Sequence, residues 1–208
     1  MSATRGSTPA RLVPTLDGRL EAIVIGTSAG GIEALSVLLP ALPAGLTAAV
    51  LVVIHQPRDR ASLLVQIFAG RCALRVEEAG DKQPVEPGVI YFAPPDYHLL
   101  VDRESGVGPV LALSSDELVQ YSRPSIDVLF ESAADIYGER LLGMVLTGAN
   151  QDGAAGLAAV RAGGGVAAVQ RPDSAAASMM PAAALERVPD ADFVLTIEQL
   201  AGLLAGLR

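Results

Sequence analysis

The segment Gly26-Thr27-Ser28-Ala29-Gly30-Gly31 sets one hydroxyl among residues too small to shield it. An apolar run, Glu21 to Ile25, leads into it, and a helical apolar period begins just beyond. A sharp turn from strand into helix would expose the Ser28 oxygen and let a substrate come close to the backbone. Free N–H groups at the start of the helix could hold a developing oxyanion. The same turn would equally suit Ser28 as a helix cap, or the glycines as a phosphate cradle.

A second apolar strand, Ala48 to Ile54, ends on His55. Imidazole takes a proton from serine at neutral pH and returns it to a leaving group. A third, Leu141 to Leu146, runs through Thr147-Gly148-Ala149-Asn150-Gln151 to Asp152. That carboxylate would cap the following helix, orient His55, or do both with its two oxygens. A parallel sheet would bring all three strand ends to one rim. The order serine, histidine, acid differs from the serine, acid, histidine order of the common α/β-hydrolases, although Gly26 to Gly30 spells G-x-S-x-G. A dinucleotide fingerprint would need glycine where Ser28 stands, and no Gly-Lys-Ser/Thr follows to make a phosphate loop.

Alternating strands and helices must position these groups. Helical spacing marks Ile32, Leu35, Leu38 and Leu39, then Leu63, Leu64, Ile67 and Phe68, with Cys72 to Val76 as a short strand after them. Short strands at Val89 to Ala93, Leu99 to Asp102 and Val110 to Leu113, separated by turns, read as a β-meander. A helix capped by Ser125 follows Pro124, and further helices are expected over Asp152 to Ala162 and Pro181 to Glu186. Strands at Val166 to Val169 and Phe193 to Leu195 complete the set, and Thr196 and Gln199 open a last helix at capping-box spacing. The expected fold is α/β: a doubly wound, mainly parallel sheet with helices on both faces and a small antiparallel meander. Residues 1–20 lack any period and read as a loose tail, leaving 21–208 as one domain.

Composition narrows the function classes. The 208 residues are 50% hydrophobic and 18% charged, a balance that excludes a disordered or coiled-coil chain. A net charge of −8 with a single lysine, Lys82, argues against nucleic-acid binding. One cysteine, Cys72, and two histidines give no disulfide and no expected metal site. The longest apolar run, Leu46 to Ile54, is half the length of a membrane span, so a cytoplasmic protein is expected.

Five segments in order carry a family resemblance: Gly26-Thr27-Ser28-Ala29-Gly30-Gly31, Val53-Ile54-His55-Gln56-Pro57, Tyr91 to Leu99, Arg123 to Phe130, and Leu146 to Gly153. Together they resemble the catalytic domain of the CheB-type chemoreceptor glutamate methylesterases, from about Glu21 to the C-terminus. The resemblance implies a cytoplasmic serine esterase that removes methyl groups from glutamyl esters on chemoreceptor signalling helices, releasing methanol. It also implies deamidation of receptor glutamines in many members, and no cofactor. Carried over by position, Ser28 is the nucleophile, His55 the base and then acid, and Asp152 the residue orienting His55. The backbone N–H groups of Ala29 and Gly30 would hold the oxyanion.

This chain departs from the family pattern in three places. Ala149-Asn150 stands where Met-Gly is common, and Ala29 where threonine is common. Family members usually carry an N-terminal receiver domain, which residues 1–20 cannot hold, so a stand-alone esterase is expected. Arg58 and Arg123 are candidates to dock an acidic receptor helix, with Arg123 equally able to anchor its own helix. His98 reads as a rim or packing residue. The competing class is a non-catalytic module that binds phosphate, nucleotide or receptor on the same fold.

Overall fold

The computed structural model describes residue 16 and residues 18–208. Most of the expected tail, 1–20, lies outside the described residues, though Leu16 and Leu20 are buried against the core. Seven strands make one sheet: β1 (Ala22–Thr27), β2 (Ala49–Ile54), β3 (Arg75–Glu78), β4 (Val89–Phe92), β7 (Leu141–Val145), β8 (Val166–Gln170) and β9 (Phe193–Leu195). They lie in the order β3-β4-β2-β1-β7-β8-β9, and every neighbouring pair is parallel. Two more strands, β5 (His98–Glu104) and β6 (Gly108–Ser114), form an antiparallel hairpin of their own.

The apolar runs explain the layering. β1, β2, β4 and β7 are buried at every position, as strands covered on both faces must be. On one face Ile23, Ile25, Val50 and Val52 pack with α1 (Gly31–Leu38), α2 (Leu64–Phe68) and α6 (Ile197–Ala205). On the other, Ala22, Val24, Leu51 and Val53 pack with α3 (Ile126–Tyr137), α4 (Ala154–Ala162), α5 (Met179–Arg187) and the hairpin. Thr196 and Gln199 make the expected capping box at the start of α6.

Three expectations need correction. Val89 to Phe92 is not part of a meander but sits inside the main sheet between β2 and β3, leaving only the β5–β6 hairpin outside. Its four residues are all buried, so it needs a covered, two-sided position that a surface meander does not offer. The strand expected over Cys72 to Val76 begins three residues later, at Arg75, and ends at Glu78. The Cys72 N–H instead donates to the Phe68 carbonyl, extending the end of α2, while charged residues around Arg75 and Glu77 hold the sheet edge. Ile32 and Leu63, counted into helical periods, are exposed.

Candidate active site

The sheet register brings the expected residues to one rim. Thr27 pairs with Ile54 across β1 and β2, so Ser28 and His55 are the next residues on adjacent strands. The ladder continues past the strands: the His55 N–H donates to the Thr27 carbonyl (3.2 Å) and the Ser28 N–H to the Thr147 carbonyl (2.9 Å). Ser28 therefore sits between the ends of β2 and β7. Gly30 takes a left-handed conformation (φ +78°) to turn the chain into α1, and a Cβ there would lie 2.7 Å from that of Ala176. The N–H groups of Ala29 and Gly30 make no hydrogen bond among the described residues.

His55 Nε2 lies 2.8 Å from Asp152 Oδ2. Asp152 is fully buried and every lone-pair direction is used. Its Oδ2 also accepts from the Ile126 N–H (2.7 Å), and its Oδ1 accepts from the Ser125 hydroxyl (2.8 Å) and the Asp127 N–H (3.0 Å). Burial alone would raise this carboxyl, but the hydrogen bonds from His55 and from the Asp127 and Ile126 N–H groups outweigh it and hold Asp152 below its ordinary range. An ionised acceptor at Nε2 fixes the proton there and leaves the Nδ1 lone pair as the basic site.

Asp152 and the start of α3 are not the arrangement expected from sequence. Ser125 precedes α3 but its side chain does not cap that helix. The carboxylate of Asp152, 26 residues further on, takes the first N–H groups of α3 instead. In return Asp127, in the first turn of α3, accepts from the Gly153 (2.9 Å) and Gly156 (2.7 Å) N–H groups and so caps α4. The two helices exchange caps. A Cβ on Gly26 would lie 2.2 Å from Ile126 Cγ2, so glycine in β1 is what lets the start of α3 press onto the sheet here.

His98 is buried behind this cluster; its Nδ1 accepts from the Ser125 N–H (3.1 Å) and its Nε2 donates to the Glu117 carbonyl (3.0 Å). It is a packing residue, as expected, and it also fixes Ser125. Arg123 donates to Asp96 Oδ1 (2.7 and 3.1 Å) and to the Ser115 and Asp116 carbonyls (2.7 and 2.8 Å), so all three guanidinium nitrogens are engaged inside the protein. That geometry favours its anchoring role. Arg58 is half exposed, 3.8 Å from Asp96, on a cleft of about 360 Å³ running from His55 to Pro124.

Sequence reasoning missed Ser125 and Asp127 as parts of the site. An acid in the first turn of a helix is an ordinary capping signal, and nothing local says that it serves another helix. Ser122 was missed too: its Oγ lies 3.5 Å from His55 Nδ1, as does Asn150 Nδ2.

A parallel α/β sheet that gathers serine, histidine and a buried aspartate at its carboxyl rim is the framework of a hydrolase. Residues 23–204 match the CheB methylesterase family, and the chain belongs to that family. A relative from Leptospira interrogans, whose name pairs protein-glutamate methylesterase with protein-glutamine glutaminase, is 41% identical over 90% of this chain and 94% of its own. Protein-glutamate methylesterase/protein-glutamine glutaminase 2 of Caulobacter vibrioides is 37% identical over 90% of this chain but only 54% of its own. The chain thus spans nearly all of the first relative and about half of the second. The crystal structure of the Thermotoga maritima CheB methylesterase catalytic domain superposes with a TM-score of 0.85 at 30% identity, covering 89% of this chain and 97% of that one.

Proposed function

We propose that this protein is a serine hydrolase that demethylates glutamyl methyl esters on the cytoplasmic helices of chemoreceptors, with the corresponding glutamine deamidation as a second activity. The observation that carries the reading is the 2.8 Å bond between His55 and a fully buried, ionised Asp152, on the strand end beside Ser28. Ser28 attacks the ester carbonyl as His55 Nδ1 takes its proton, and Asp152 stabilises the imidazolium. The oxyanion is held by the free N–H groups of Ala29 and Gly30. Methanol leaves with the proton from Nδ1, and water then releases the glutamate by the same route in reverse. A glutamine side chain would follow the same path with ammonia leaving.

Among the described residues no helix is long and apolar enough to cross a membrane. A cytoplasmic site of action follows from the proposed substrate. Arg58, on the cleft beside His55, is the candidate contact for an acidic receptor helix. The deciding experiment is methanol release from a methylated receptor fragment. The natural chain is expected to release it, and Ser28→Ala to be at least roughly 10⁴-fold slower. A drop below tenfold would remove Ser28 from the mechanism.

A further inference from the structure

We infer that Ser122 and Asn150 hold the water that hydrolyses the acyl-enzyme, which builds on the serine-hydrolase reading above. Since Nε2 is committed to Asp152, whatever His55 deprotonates must meet Nδ1. Two polar side chains flank that atom from different loops: Ser122 Oγ and Asn150 Nδ2, each at 3.5 Å. Good hydrogen bonds are shorter, about 2.7–3.2 Å, so neither group quenches the base. Both are satisfied better through an oxygen seated between them.

Their orientations are set by the surrounding backbone. The Asp152 N–H donates to Asn150 Oδ1 (3.2 Å), which turns the amide nitrogen of Asn150 toward His55. Ser122 is pinned by two backbone hydrogen bonds with Val119 (2.8 and 3.2 Å), and its hydroxyl donates to the Gln120 carbonyl (3.4 Å). A water at Nδ1 then accepts from Asn150 Nδ2, gives one hydrogen to Nδ1 and directs the other at a Ser122 Oγ lone pair. As its oxygen bonds to the acyl carbon, that first proton passes to Nδ1. The tetrahedral intermediate breaks its bond to Ser28 Oγ, which takes the proton back from Nδ1. The carboxylic acid so released gives its remaining water-derived proton to solvent, leaving free carboxylate and intact Ser28, with no other reactant needed.

Ser28 itself needs no water, so acylation and deacylation should separate. Stopped-flow with p-nitrophenyl acetate on the full chain is the test. The natural chain should give a burst of about one nitrophenolate per chain and then a slower steady rate. Ser122→Ala and Asn150→Ala should keep the burst amplitude and rate constant. Their steady rate should fall about tenfold, the worth of one neutral hydrogen bond. Hydroxylamine attacks the acyl-enzyme without a positioned water, so adding it should restore turnover in both variants. A burst slowed along with the steady rate, unchanged kinetics, or a lack of rescue would each overturn the water site. If the natural chain and Ser28→Ala are equally without a burst, the acyl-enzyme reading itself fails. A burst that Ser28→Ala abolishes, with steady rates unchanged in the other two variants, defeats the water site alone.

Discussion

Asp152 and Asp127 stand at the starts of two packed helices, and each caps the helix that the other precedes or begins. Both are buried, yet their carboxyls move in opposite directions. Burial pushes Asp127 up to about 6, and the charge of Asp152 adds to the rise, against the two N–H groups of Gly156 and Gly153. Asp152 is buried still more completely but receives four donors, one of them the imidazole of His55. The comparison shows how one pair of residue types can divide its work. The carboxylate supplied with donors on both oxygens stays ionised beside the base, and the one with donors on a single oxygen bears the cost of being its neighbour.

Three substitutions test that division and a fourth, at a distant helix, serves as its control, taken from the largest expected effect downward. Asp152→Asn should lower the rate of methanol release by about 10⁴-fold, because an amide cannot hold the proton on Nε2 as a carboxylate does. A loss of less than about 100-fold would mean that Asp152 is chiefly a helix cap. Ser125→Ala removes one hydroxyl donor from a buried charge and should cost about 1.5–3 kcal/mol in urea unfolding, with a smaller loss of activity. Unchanged stability would show that water replaces the hydroxyl.

Asp127→Asn should leave methanol release within about threefold at pH 8, since the amide oxygen can still accept from α4. Its signature lies in stability against pH. A folded carboxyl at about 6, against about 3.9 unfolded, binds extra protons when folded. That stabilisation is full below about pH 3.9 and is lost as pH rises through about 6. The variant should lack this decline in melting temperature between pH 4 and 6. Asp152 acts with the opposite sign: its stabilisation is present above about pH 3.9 and is lost as pH falls through its lowered folded value. An identical decline in Asp127→Asn and the natural chain would assign the titration to another group. The smallest effect belongs to Thr196→Ala, remote from the rim, which should cost about 1 kcal/mol of stability through the α6 capping box and leave activity unchanged.

Much of the site was legible in the sequence because parallel strands end where their apolar runs end. His55 and Ser28 each follow such a run, and the register that aligns Thr27 with Ile54 delivers both to one edge. The departure at Ala149-Asn150 was visible as well, and Asn150 does turn a polar group toward His55. The exchange of caps was not legible. An aspartate beside a helix start looks the same whether it binds its own backbone or that of a helix packed alongside. The place of Val89 to Phe92 was hidden for a related reason: a short apolar strand announces burial but not its neighbours.

The sequence alone thus determined the local matters: where strands and helices run, which residues stand at their ends, and the chemistry those residue types can perform. Tertiary structure alone decided the strand order, the service Asp152 gives to α3 and Asp127 to α4, the turning of Arg123 inward, and the approach of Ser122 and Asn150 to the free nitrogen of His55. The physical reason is range. Apolar period and capping preference act over a few residues of chain, whereas the hydrogen bonds that bring Asp152 to the Ile126 N–H, 26 residues away, and to the His55 ring, 97 residues away, exist only once the sheet and its helices have packed.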